Sequence, residues 1–250
     1  MIQGHCIKKG RVNNVLNIVG DSFSEGGRHQ NKNEISYIEL LEKKFTIKNY
    51  SHHGVGPQYI FEKFINEKIS GGNLFIVFPD IHRIKFNYLS DDNVASPVFI
   101  WNRLKKDKEY NFPESFEKYE RKYEKIYKDF ESFEQSNMFS ILPTLYIQYF
   151  LSFYNTFDKI LIWPTSFYHN LKLNFIPENC KVMHNNLNRI SKLENVNKNE
   201  NGIDSRKNHL SRENHEIMCD FLVDFFINDI FMNPILKKIC HNVLSVDTNF

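Results

Sequence analysis

Val15–Gly27, VLNIVGDSFSEGG, is the stretch whose reading decides the fold. Val15, Leu16, Ile18 and Val19 make a short apolar, β-branched run, the pattern of a strand buried on both faces. The run stops at Gly20, and an acid, two serines and two more glycines follow by Gly27. A buried strand running straight into Gly-Asp-Ser puts Ser22 at the carboxyl edge of a sheet, where open α/β folds hold their ligands. The next helix, expected over Asn33–Lys44, starts too late for Ser22 to cap it, which leaves a loop of about ten residues. Alone, such a stretch is equally a polar strand-to-loop turn.

Downstream, strand and helix patterns alternate. Glu34–Phe45 carries Ile35, Ile38, Leu40, Leu41 and Phe45 at helical spacing, and a short strand is expected at Thr46–Tyr50, ending in SHHGVGP. Tyr59–Ile69 sets Ile60, Phe61, Phe64, Ile65 and Ile69 on one helical face. Asn73–Phe78, NLFIVF, is a second continuous apolar strand, closed by PDIHR. The order β-α-β-α-β, each strand ending in a polar or glycine-bearing loop, argues for a single parallel sheet with helices on both faces. After an interruption the alternation resumes with a helix near Leu142–Tyr154 and a strand, KILIW, at Lys159–Trp163 ending in Pro164, Thr165 and Ser166. An amphipathic helix carrying His215, Met218, Cys219, Leu222, Phe225 and Phe226 begins just after NHLSREN, and Asn185–Gly202 reads as a polar surface excursion.

The interruption, from Lys85 to Asn137, is rich in Lys, Glu, Tyr and Phe. Phe116, Tyr119, Tyr123, Ile126, Phe130 and Phe133 form an apolar seam on one helix. It is too short for a free coiled coil, so a cap helix packed on the domain is the first reading and a homodimer contact the second. The whole chain, 1–250, therefore reads as one α/β domain with a helical insertion over 85–137.

Composition narrows the function classes. Hydrophobic residues make up 41% of the chain, enough for a core, and 32 basic against 30 acidic residues leave a net charge of +2. Such a balance shows no basic excess pointing to nucleic acid, and no nucleic-acid partner is expected. Cys6, Cys180, Cys219 and Cys240 include no CxxC pair, which argues for reduced thiols and against a zinc framework. The N-terminal residues lack an apolar signal core, and no stretch reaches the eighteen or so apolar residues of a membrane helix. A soluble, cytoplasmic protein without membrane contact is expected.

With three polar loops after three strands and a His-bearing loop before the last helix, the chain resembles the SGNH (GDSL-type) hydrolase family. Gly20–Asp21–Ser22 matches its first block, and NYSHHG, Asn49–Gly54, is similar to its second, with the oxyanion glycine at Gly54. Ser22 and Gly54 are 32 residues apart, one β-α-β step. His209, with His215 and a helix after it, resembles the fifth block. The resemblance covers most of the chain outside the insertion. It implies a flavodoxin-like three-layer α/β/α fold and a serine-dependent hydrolase of an acyl or acetyl ester of a sugar or other small metabolite. It also implies Ser22 as nucleophile, His209 as general base, and neither cofactor nor metal. Two positions depart from the family pattern. The third block reads FPDIHR where the family has Gly-x-Asn-Asp, leaving His82 or Arg83 as the replacement oxyanion donor. The Asp expected three residues before the His is Arg206, so the nearest acid is Asp204.

The chemistry explains the grouping. A serine hydroxyl is a poor nucleophile until a base such as neutral His takes its proton. The oxyanion that forms needs preorganised donors, here the Ser22 and Gly54 backbone N–H groups. Other readings stand beside this one. The departures favour a catalytically impaired relative that uses the pocket for binding, or a structural role. SFSEGG also suits a phosphate loop holding FMN. His52 and His53, adjacent in an extended loop, should point apart as a polar loop and not as a metal pair. His215 suits packing at the helix start, Asp80 a turn, and Arg83 a solvated charge.

Overall fold

A computed structural model describes residues 14–26, 35–81, 83, 128, 132, 137–165, 171–183 and 212–231. These residues contain one five-stranded parallel sheet: β1 (Val15–Val19), β2 (Thr46–Asn49), β3 (Asn73–Phe78), β4 (Lys159–Pro164) and β5 (Cys180–Val182). The strand order is β2-β1-β3-β4-β5. β1 is flanked by both its successors, with Leu16 opposite Ile47 of β2 and Asn73 of β3. The chain therefore steps outward from β1 in opposite directions, and right-handed crossovers then put the two connecting helices on opposite faces.

Side-chain alternation shows the two faces. From β3, Phe75 and Val77 join Leu161 and Trp163 of β4 on one face. This face packs against α1 (Tyr37–Leu41) and the last described helix, α4 (Arg212–Phe226). Leu74, Ile76 and Phe78 pack with Ile160 and Ile162 on the other, beneath α2 (Pro57–Asn66) and α3 (Asn137–Leu151). Every residue of β3 is buried, so each large apolar side chain there contributes about 1.5–3 kcal/mol relative to exposure. The α/β alternation read from sequence is therefore present, with β3 at its expected bounds.

Other bounds moved. α1 is shorter than Glu34–Phe45 because a capping box fixes its start. Ser36 Oγ accepts from Glu39 N–H at 3.3 Å, and Glu39 Oε2 accepts from Ser36 N–H at 2.6 Å. α2 begins at Pro57, whose fixed φ and missing N–H suit a first helical position. Ile65 is exposed and does not share the buried face of Ile60 and Phe64. β5 was not anticipated, being a three-residue edge strand (Cys-Lys-Val) beside β4. Cys180 and Cys219 are free and buried, and burial pushes their thiols up to about 12 and about 11. Among the described residues no helix is long and apolar enough to cross a membrane. Lys128 and Ser132 are helical and exposed, whereas the seam residues Phe116, Tyr119, Tyr123, Ile126, Phe130 and Phe133 lie outside the described set.

Candidate active site

Because all strands are parallel, the loops after β1, β2 and β3 share one edge of the sheet, and polar side chains lock them together. In the first loop Ser24 N–H donates to the Asp21 carbonyl at 3.0 Å, closing a turn over Asp21–Ser24. Asp21, Phe23 and Ser24 are buried, and Ser22 between them is half-exposed. The Asp21 carboxylate accepts from Phe23 N–H at 3.1 Å on one oxygen and from the Arg83 guanidinium at 3.1 Å on the other. The same guanidinium nitrogen lies 3.4 Å from the Val55 carbonyl, so Arg83 ties the third loop to both others. Burial raises the Asp21 carboxyl from its ordinary 3.8 to about 6, and Arg83 pulls against that rise. Tyr37, buried on α1, donates its hydroxyl to the Phe23 carbonyl at 2.8 Å. Burial and the Asp21 charge push its ionisation well above the usual tyrosine range, so it stays a neutral donor.

The second loop is stitched to the first. Asn49 donates its side-chain amide to the carbonyls of Ser24 and Glu25 at 2.7 and 3.2 Å, and its oxygen accepts from Ser51 N–H. Ser24 Oγ and Ser51 Oγ are 2.9 Å apart, and His52 N–H donates to the Gly20 carbonyl at 3.1 Å. Gly54 has φ +69°, the left-handed region that favours glycine. A Cβ on Gly56 would stand 1.7 Å from the Arg83 carbonyl, so only glycine lets the third loop lie on the start of α2.

His52 and His53 do not point apart as expected. Their rings stack at 4.4 Å between centroids and 19° between planes, because the loop turns at these residues and does not run extended. His53 Nδ1 is 3.0 Å from Glu25 Oε1, and His52 Nδ1 is 2.9 Å from the His53 carbonyl. Arg83 is not a solvated charge either, since it is paired with a fully buried carboxylate. Asp80 does lie in a turn, its carbonyl accepting from Arg83 N–H at 3.1 Å. His215 packs at the start of α4 as anticipated. It is buried, stacks on Tyr37 and accepts the Tyr37 N–H on Nδ1 at 3.2 Å.

Of the residues singled out from sequence, Ser22 and Gly54 thus stand on adjoining loops at one sheet edge. His82, Asp204 and His209 lie outside the described residues, as does Ser166. The Asp21–Arg83 and Glu25–His53 pairs were not anticipated. Nothing in local spacing names such partners, although an arginine in the loop after an apolar strand is a residue that needs one.

These features define an α/β protein whose parallel sheet carries an interlocked polar cluster around a half-exposed serine. A scan against protein-family models, a search of curated proteins and a search of solved structures each found no match for this chain.

Proposed function

We propose that the chain is a serine-dependent ester hydrolase of the SGNH type, acting on an acyl or acetyl ester of a sugar or other small metabolite. The observation that carries this reading is the half-exposed Ser22 between buried neighbours, on the loop after β1 and beside the Gly54 loop. The strand order is the one found in flavodoxin-like doubly wound sheets, whose ligand crevice opens between the loops after β1 and β3. Such a fold is what the SGNH reading requires.

In this reading Ser22 attacks the acyl carbon while His209 takes its proton, with Asp204 orienting the imidazole. The Ser22 and Gly54 N–H groups and His82 receive the oxyanion. Asp21 and Arg83 hold the three loops at fixed separation and take no part in bond making. The FMN alternative fares worse, because the loop holds the buried Asp21 carboxylate and Glu25, which would repel a phosphate.

The second reading is a binding protein that keeps the pocket and has lost turnover. It is favoured by the occupation of Arg83, whose guanidinium is engaged by Asp21 and Val55 instead of being offered to an oxyanion. A serine-directed fluorophosphonate and a panel of short-chain acyl esters separate the two. The hydrolase reading expects Ser22 to be labelled, and Ser22→Ala to lose on the order of 10³-fold or more in turnover at unchanged melting temperature. Wild type that neither labels nor cleaves any ester would leave the binding reading.

A further inference from the structure

We propose that Glu25, His52 and His53 form a binding site for a divalent transition metal of the zinc type, with a coordination position left for water. The site shares its two loops with Ser22 and Gly54 but uses neither residue, and it does not depend on the ester-hydrolase reading. One donor atom from each of the three residues lies within 4.8 Å of the other two. A tetrahedral metal with bonds of about 2.0–2.1 Å needs donors about 3.3 Å apart. The Glu25–His53 pair, at 3.0 Å, is already close to that spacing. The remaining approach is a rotation that unstacks the two imidazole rings, now 4.4 Å apart at 19°, while the backbones stay held by hydrogen bonds from Asn49 to the Glu25 carbonyl and from His52 N–H to the Gly20 carbonyl.

The protonation pattern also suits a ligand set. A carbonyl only accepts, so the 2.9 Å contact from His52 Nδ1 to the His53 carbonyl places the ring proton on Nδ1. His52 Nε2 then keeps its lone pair, in the tautomer that metal-binding histidines adopt when a carbonyl holds the other nitrogen. At His53 the ring proton facing Glu25 stands where a metal would sit, and it moves to Nε2 when the metal takes Nδ1. Two imidazoles and one carboxylate prefer zinc and its first-row neighbours over magnesium or calcium. Three protein ligands leave the fourth tetrahedral position open. Bound there, the ion would clamp the loop after β1 to the loop after β2.

The test uses the full chain, stripped with chelator and desalted, then titrated with Co²⁺ by visible absorption and with Zn²⁺ against a chromophoric chelator. One equivalent should bind with micromolar or tighter affinity and give the intense bands of four-coordinate Co²⁺. Glu25→Gln, which keeps shape and hydrogen bonding, and His53→Ala should each weaken binding by about tenfold or more and remove the bands. Wild-type affinity and spectrum in both variants would overturn the proposal, as would wild-type binding no tighter than millimolar. Should His53→Ala fail to fold, Glu25→Gln decides alone.

Discussion

The two edges of the sheet handle charge in opposite ways. At the carboxyl edge, Asp21 is fully buried and its partner Arg83 mostly so, and the pair joins three loops. At the amino edge, Lys159 reaches the Phe225 and Phe226 carbonyls at the end of α4 and pairs with Asp229, which is 81% exposed. Beside it lies an open cavity of about 390 Å³ lined by Glu178, Lys181 and Phe231 among others. Removing a partner from a buried pair strands a charge, whereas removing one from an exposed pair hands its partner to water. The carboxyl edge should therefore be the fragile one, although both edges close the same sheet.

The largest expected effect is that of Arg83→Met. It leaves the Asp21 carboxylate buried without its cation and should cost about 3 kcal/mol or more in urea unfolding at pH 7. A loss under 1 kcal/mol would erase the contrast between the edges. Asp21→Asn sharpens the same point through pH. Because the folded carboxyl lies above its ordinary 3.8, at about 6, the native state holds the proton more tightly than the unfolded chain. Asp21 thus contributes most below pH 4, and that contribution falls as pH rises to about 6, by about 3 kcal/mol for a displacement of this size. The stability difference between wild type and Asp21→Asn should follow that curve, and a flat difference from pH 4 to 7 would contradict the burial argument.

A smaller loss is expected for His215→Ala, which leaves the first N–H of α1 without its buried acceptor and should cost about 1–2 kcal/mol by thermal or urea unfolding. Smallest of all is Lys159→Met at the amino edge. Its carboxylate partner Asp229 is 81% exposed and passes to water when the ammonium is lost, so about 0.5–1 kcal/mol is expected, shrinking further in high salt. A loss equal to that of Arg83→Met would show the amino edge to be just as tightly built.

Much of the framework was legible in the chain. Parallel strands buried on both faces are continuous apolar runs, so VLNIV, NLFIVF and KILIW announced β1, β3 and β4 through composition alone. The polar loops after them followed, and with them the shared edge carrying Ser22 and Gly54. The bounds of α1 were harder to read, because Ile35 continues the apolar pattern past the Ser36 cap yet is exposed.

The sequence by itself determined that β and α would alternate, which strands were continuous apolar runs, and that Ser22 would follow the first of them. Each of these is written in local periodicity, since a strand or helix declares its buried face within one window of residues. Tertiary structure alone decided who meets whom at the edge. Asp21 pairs with Arg83 across 62 residues, His53 with Glu25 across 28, and Tyr37 with His215 across 178. A polar group's partner carries no period and no propensity, and exists only once the sheet order has brought the loops together. β5 belongs with these contacts, because three residues beside β4 become a strand only through the neighbour that supplies their hydrogen bonds.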